Sequence, residues 1–384
     1  PELSTLAKVR RDMPPRVATR AGAPAPPAPA DDGRRGAYDR TRCRAHPLIA
    51  RPTDRRMPDP AQTATVQRQM EELHALHLTL GGDQVASYYP AAMEAEAGRF
   101  GIAFTHVDGT QWHHGDCEFS FPLHSISKVF IHATALEDNG REAVLRRVGV
   151  EPSGDPFNSI TFDETEHRPF NPMINAGALV ATSLVHGRDR AEKVERLLAK
   201  LRVYSGNPHL RVDEEVLAAE LVSNDRNLAL SYLMRSLGMI QGDVEENLAT
   251  YLSICAVRVT GRELADMGAT LACGGRNPIT GRQALAPTYL RDVITVMMTC
   301  GMYTSSGQWA YEVGIPAKSA VSGGLLVTVP GYFGGGFFSP GLDRHGNSVR
   351  AVNICRDLST RFGLHAYADP SEASFGRIDR APHG

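Results

Sequence analysis

Apolar positions first acquire a regular period at residues 64–80, where Val66, Met70, Leu73 and Leu76 recur at helical spacing. The spacing predicts a helix there and a folded body starting near residue 62. Between 99 and 120 the pattern changes to two strand-like runs separated by Asp108-Gly109, a dipeptide suited to the positive φ of a tight hairpin. The second run leads through Pro122 into F-P-L-H-S-I-S-K-V-F at 121–130, which reads as the start of a buried helix. A long helical and loop-rich region follows, with segments near 177–185, 190–202, 213–238, 243–256, 259–273 and 287–300. After 315 the texture returns to short β-like runs at 320–330, 331–340 and 347–355, which predict antiparallel strands. A hairpin before the buried helix and strands after the helical region can complete one sheet, with the middle of the chain as a helical subdomain over it. The expected fold class is α+β, with the site at the seam between the two parts.

Composition adds boundaries. The 384 residues are 42% hydrophobic and 22% charged, enough for one large unit or two intimate subdomains. Residues 1–60 hold 11 of the 25 prolines and 13 Lys/Arg against 7 Asp/Glu, with the run A-G-A-P-A-P-P-A-P-A at 21–30. So little apolar surface cannot offset the entropy of ordering, so residues 1–61 are expected to be a disordered arm. The expected organisation is then this arm, a folded domain over 62–370, and a flexible tail over 371–384. The chain's net charge of −2 becomes about −8 once the basic arm is set aside, which gives no reason to expect nucleic acid. No stretch approaches the roughly 18 consecutive apolar residues of a membrane span, and the first 30 residues lack the apolar core of a secretory signal. A cytoplasmic location and no membrane partner are the expectation. Six cysteines, at 43, 117, 255, 273, 300 and 355, show no C-x-x-C pairing. They predict reduced, mostly buried thiols rather than a zinc site or a disulfide framework.

The candidate chemistry sits at 125–128. Ser125 and Lys128 are three residues apart, so one helix face brings the amine to the hydroxyl, where it can take the proton as the oxygen attacks a carbonyl. That requires a largely neutral lysine, with its pKa brought from about 10.4 toward 7–8. The apolar flank Val129, Phe130 and Ile131 and the nearby helix N-terminus both act in that direction. Spacing alone is weak, because a chain of this length contains about one Ser-x-x-Lys by chance. The bland alternative is a first helical turn with Ser125 as cap and Lys128 in water.

The wider pattern resembles the serine β-lactamases and penicillin-binding proteins, in which Ser-x-x-Lys opens a helix and a Lys-(Ser/Thr)-Gly strand faces it. Lys318-Ser319-Ala320 nearly matches that strand. More specifically, the chain from about 66 to 368 resembles the serine-dependent glutaminases. The matching blocks are V-A-S-Y-Y-P at 85–90, H-S-I-S-K-V-F at 124–130, E-P-S-G-D-P-F-N-S at 151–159 and N-P-M-I-N-A-G-A at 171–178. They continue with D-R-N at 225–227, N-P-I-T-G at 277–281, C-G-M-Y at 300–303, P-A-K-S-A-V-S-G-G at 316–324 and G-N-S-V at 346–349.

The resemblance implies a serine β-lactamase-like fold and hydrolysis of L-glutamine to L-glutamate and ammonia through a γ-glutamyl ester, without metal or organic cofactor. Ser125 would be the nucleophile, Lys128 the general base, and Tyr303 the group that relays a proton to the departing ammonia. The backbone N–H groups of Ser125 and Val321 would form the oxyanion hole. Tyr88, Asn175, Glu220, Asn227 and Tyr251 would hold the substrate's α-ammonium and α-carboxylate. Glu220 and Asn227 would share one helix face, two turns or about 10 Å apart. Homodimers or homotetramers are also implied. Without the resemblance, Tyr88 and Tyr251 read as half-buried aromatics and Asn175 as a turn former.

Three departures stand out. His124 occupies the position where the family has glutamine, and its imidazole either lines the pocket, where it can titrate, or points away to pack at the helix start. Ala320 replaces a glycine and adds a Cβ, which could tighten the slot. Arg258 stands where a glutamate is usual and reverses a charge. They leave room for two other readings: an impaired, glutaminase-like amino-acid binder, or a serine amidohydrolase with another substrate such as a β-lactam or a peptide.

Overall fold

Three consecutive glycines determine how the sheet meets its helices. The computed structural model describes residues 60–81, 98–156, 159–163 and 165–368. Its main sheet has five antiparallel strands: β1 (Gly101–His106), β2 (Gln111–Gly115), β5 (Ala317–Ser319), β6 (Gly324–Val329) and β7 (Phe333–Phe338), in the order β2-β1-β7-β6-β5. The hairpin that precedes Ser125 therefore pairs directly with the C-terminal strands, with Ile102 opposite Phe337 and Leu326 opposite Gly336. Asp108 Oδ1 accepts from Thr110 N at 2.8 Å and Gly109 takes φ +95°, so the Asp-Gly turn forms as its sequence dictates.

Strand side chains alternate between faces, so F-G-G-G-F-F in β7 presents Gly334 and Gly336 to one side and Phe333 and Phe337 to the other. A helix over Gly261–Ala272 lies against the glycine side. A Cβ on Gly334 would come within 1.9 Å of Ala269 N, and one on Gly336 within 2.1 Å of Gly261 O. Backbone cannot yield to such a contact, so Gly334→Ala is expected to cost about 3 kcal/mol, read as a lower denaturant midpoint at unchanged m-value. On the other face Phe104, Phe333 and Phe337 pack with Val66, Met70 and Leu73 from the helix Pro60–His77, called α1. Leu76 was expected in that stripe, but it is exposed and His77 is buried in its place. The next position on the 66, 70, 73 stripe is 77, and His77 Nε2 lies 2.8 Å from Asp357 Oδ2.

The helical part comprises α2 (Ser127–Asn139), α3 (Arg141–Leu145), α4 (Asn175–Ser183), α5 (Arg190–Ser205), α6 (Glu214–Val222), α7 (Asp225–Ser236), α8 (Val244–Cys255), α9 (Gly261–Ala272, the helix on the glycines) and α10 (Pro287–Cys300). These helices share a second core that includes Phe130, Leu179, Leu201, Tyr204, Ile254 and Met267. A two-stranded piece, β3 (Phe121–Pro122) with β4 (Arg258–Val259), ties the approach to Ser125 to the end of α8. The α+β, β-lactamase-like architecture is thus as expected: an antiparallel sheet flanked by helices, with a helical subdomain.

Two expected elements are otherwise. Residues 347–355 are not a strand. They open α12 (Val349–Phe362), the last helix after the short α11 (Ser306–Glu312), with Ser348 Oγ accepting from Ala351 N at 3.4 Å. Ala351, Ile354, Cys355, Leu358 and Phe362 form its buried stripe, a 3.6-residue period that only becomes visible beyond 355. The expected helix over 213–238 is two, α6 and α7, broken at Ser223-Asn224, where Asn224 Nδ2 donates to Glu220 O at 2.6 Å in place of the helical ladder. Glu220 and Asn227 therefore stand on separate helices, not two turns apart on one face.

The arm over 1–61, apart from the first residues of α1, and the tail over 371–384 lie outside the described residues, as do Cys43 and Tyr88. Cys117, Cys255, Cys300 and Cys355 are buried, unbridged thiols, and Cys273 is half-buried. Among the described residues no helix is long and apolar enough to cross a membrane.

Candidate active site

The approach to the site is strained. His124 has φ +42°, one of three non-glycine residues with positive φ among those described, and a second is Tyr303 at +53°. Such backbone costs of order 1–3 kcal/mol and persists only where its surroundings enforce it. Here Leu123 N is held by Val257 O at 2.8 Å, and a single 3₁₀ turn over His124–Ile126 precedes α2. The Ser125 side chain makes no capping bond to the helix, so its hydroxyl is available to chemistry.

Lys128, in the first turn of α2, reaches back and donates from Nζ to Ser125 Oγ at 2.7 Å. The amine is fully enclosed, at 1% exposure, which excludes the bland alternative of a solvated lysine. Burial brings its pKa down to about 8, while Cys255 and Glu220 act to hold it up. A lysine so placed is substantially neutral near and above pH 8 and can accept the serine proton. The Tyr251 ring centroid lies 5.7 Å from Nζ. Burial first, and then Cys255, push the Tyr251 phenol well above its ordinary pKa, so it stays a hydrogen-bond donor.

A cavity of about 90 Å³ opens over Ser125, lined by His124, Asn175, Glu220, Asn227, Tyr251 and Val321 among others. One wall is a continuous polar belt. Asn175 Nδ2 donates to Asn227 Oδ1 at 3.0 Å, Asn227 Nδ2 donates to Asn224 Oδ1, and Asn224 Nδ2 lies 3.3 Å from Glu220 Oε2. Glu220 Oε1 ends the belt, 3.1 Å from His124 Nε2. Burial opposes the Glu220 charge, but His124, Asn224 and Lys128 outweigh it and hold the carboxyl below its ordinary pKa. The pocket thus brings a carboxyl held toward its ionised form, several amide groups and the Ser125 hydroxyl around a space for a small molecule.

A family model described as Glutaminase matches residues 83–367. The chain belongs to the glutaminase family. It is 46% identical over 295 residues to a glutaminase of Microcystis aeruginosa, a match covering 77% of this chain and 87% of that one. Among solved structures, Mglu in its glutamate form superposes with TM-score 0.74 at 41% identity, covering 82% of this chain and 71% of that one. A probable glutaminase superposes with TM-score 0.75 at 34% identity, covering 79% and 98%.

Within this glutaminase fold the structure gathers most residues named from the sequence. Ser125, His124, Asn175, Glu220, Asn227, Tyr251 and Val321 line one cavity, and Lys128 lies directly beneath Ser125. Tyr303 lines a separate cavity of about 390 Å³ with Ser153, Asn171 and Cys300. It packs beside Val321, a lining residue of the first: a Cβ on Gly346 would lie 3.5 Å from Val321 Cγ1 and 3.7 Å from Tyr303 Cε2, so both flank that glycine. The Tyr303 ring carries the Lys318 ammonium at 4.3 Å. Lys318 donates to Gly301 O at 3.1 Å and Ser319 O at 2.7 Å, and burial first, then the Lys128 charge, lower its pKa strongly.

Of the departures, His124 lines the pocket rather than pointing away. Ala320 does not tighten the slot: it is buried in the helical core, and its N–H closes the turn to Gly324 O at 2.9 Å. Arg258 holds the Ser120 carbonyl and lies 3.7 Å from Asp213 Oδ2. Sequence reasoning missed Ser223, Asn224, Arg226, Leu252 and Cys255 in the lining. Asn224 had a signal, as a helix-breaking residue inside an otherwise periodic run, and Cys255 lies one turn after Tyr251. Away from the cavity, His113, Cys117 and Glu118 bring ligand-capable atoms within 4.8 Å of one another, but Glu118 is held by Arg262 at 2.7 Å.

Proposed function

We propose that this chain hydrolyses L-glutamine to L-glutamate and ammonia through a γ-glutamyl ester on Ser125. The observation that carries the reading is the 2.7 Å contact from Lys128 Nζ to Ser125 Oγ at the floor of a pocket walled by an ionised Glu220. As Ser125 Oγ bonds to the side-chain amide carbon, Lys128 takes the hydroxyl proton. The backbone N–H groups of Ser125 and Val321 receive the developing oxyanion. Tyr303 gives a proton to the amide nitrogen and is reprotonated by the Lys128 ammonium, the C–N bond breaks, and ammonia leaves. Water then cleaves the ester by the reverse proton path, releasing glutamate. Glu220 takes the α-ammonium, and Asn175, Asn227 and Tyr251 take the α-carboxylate; a role for Tyr88 rests on the family resemblance alone.

The family resemblance also carries the expectation of a homodimer or homotetramer, which light scattering reads directly. The buried, unbridged thiols support a cytoplasmic location. The test of the reading is a substrate comparison. Purified protein should release equimolar glutamate and ammonia from L-glutamine, and N-acetyl-L-glutamine, which has no ammonium for Glu220, should be poorer in kcat/KM by on the order of 10²-fold or more. Equal turnover of the two would remove the amino-acid reading of the pocket and favour a broader amidohydrolase.

A further inference from the structure

The carboxylate assigned to the substrate's ammonium already has a partner. His124 Nε2 stands 3.1 Å from Glu220 Oε1, and both side chains are nearly closed to solvent, at 6% and 13% exposure. His124 is held in place by the strained φ +42° backbone immediately before the nucleophile. An amide at this position would offer Glu220 a neutral donor at every pH, whereas an imidazole offers a cation or a neutral ring.

We propose that His124 couples substrate capture to proton release: in the empty site its imidazolium pairs with Glu220, and the arriving α-ammonium takes over that carboxylate while the His124 proton leaves to solvent. The inference rests on the glutaminase reading above and deepens it. The balance is simple, since one cation replaces another beside a single carboxylate and no covalent bond to the substrate changes. Two cations against Glu220, with Lys128 also near, would repel one another in a cavity of about 90 Å³. His124 is thus a positioning residue that sets when Glu220 is open to substrate.

The groups facing the pair from each side narrow the source of any proton. Lys128 comes from α2, Asn175 from α4, Arg226 and Asn227 from α7, and Tyr251 and Cys255 from α8. The Cys255 thiol, raised to about 11 by burial, and the Tyr251 phenol, raised still more strongly, stay protonated between pH 6 and 8.5. The asparagines do not titrate. Two lysines are the other candidates: Lys128, with a pKa of about 8, holds its proton at pH 6, and Lys318 on β5, whose pKa burial and then the Lys128 charge lower strongly, lies outside the cavity lining and donates to Gly301 O and Ser319 O. The comparison of His124 with glutamine at that position therefore decides whether the released proton is the imidazole's.

The test is calorimetry of L-glutamine binding to the full-length Ser125→Ala protein, which cannot turn over, in two buffers of different ionisation enthalpy. The expected result is close to one proton released per L-glutamine at pH 6, accompanied by an affinity that weakens up to tenfold per pH unit toward acid. In Ser125→Ala/His124→Gln the release at pH 6 should fall to near zero and the affinity should flatten. Binding to the Ser125→Ala protein without proton release at pH 6 overturns the inference whether or not the glutamine variant folds, as does release that survives His124→Gln. Failure of wild type to form glutamate at any pH, together with no L-glutamine binding, would instead remove the glutaminase reading itself.

Discussion

Ser125→Ala is expected to abolish glutamate formation, with kcat down by on the order of 10⁴-fold or more, while L-glutamine still binds. The substitution removes one oxygen that caps no helix and accepts a single bond, from Lys128 Nζ. Folding should therefore change little, and denaturant midpoints of the two proteins should agree within about 0.5–1 kcal/mol in stability. The loss falls on chemistry, because among the described residues no other hydroxyl lining the cavity accepts a hydrogen bond from an amine; Lys128 Nζ donates to Ser125 Oγ. The thiol of Cys255 lies in the same lining, but burial raises it to about 11, so it stays protonated and does not replace the serine. A Ser125→Ala protein with more than a few per cent of wild-type kcat would mean that the bond-forming atom lies elsewhere.

The second large effect belongs to Lys128 and is visible as a pH profile. With the amine at about pKa 8, kcat should rise close to tenfold per pH unit between pH 6 and 7 and level off above pH 8. The sign follows from the role: below its pKa the lysine is an ammonium and cannot take the Ser125 proton, and above it the free amine can. Lys128→Arg separates charge from basicity. The guanidinium keeps the positive charge at every accessible pH and never becomes a base, so kcat should fall by about 10³-fold and lose the rising limb. A retained limb in Lys128→Arg would assign the titration to another group, and kcat that falls from pH 6 to 8 would contradict a neutral-amine mechanism. This profile also separates from the proposed His124 coupling, which is read in binding rather than in kcat.

The Ser125–Lys128 contact at the floor of the pocket was legible in the sequence, because it depends on local spacing. Ser125 and Lys128 needed only three residues of helical geometry to meet, and the apolar run after them already implied burial. The β hairpin at Asp108-Gly109 was likewise local. What escaped was set by contacts between distant segments. The interruption between Glu220 and Asn227 depends on Asn224 competing for the helix backbone, and periodic apolar positions on both sides concealed it. The helix over 349–362 looked like a strand because its first residues, V-R-A-V-N-I-C, alternate plausibly before the longer period emerges. Ala320 looked like a pocket residue from its motif, yet the turn to Gly324 buries its methyl in the core. His124 left two orientations open because the direction of a side chain at φ +42° is decided by the partner that it meets, here Glu220 from a segment nearly a hundred residues later.

The central claim is that Ser125 Oγ is the atom that takes the γ-glutamyl group. The direct measurement is intact-protein and peptide mass spectrometry after incubation with a γ-glutamyl analogue that carries an electrophilic carbon in place of the side-chain amide. The account predicts one adduct per chain, located on Ser125, formed faster as pH rises through about 8, and absent from Ser125→Ala. An adduct that persists in Ser125→Ala, or that maps to another residue of the pocket, would contradict it.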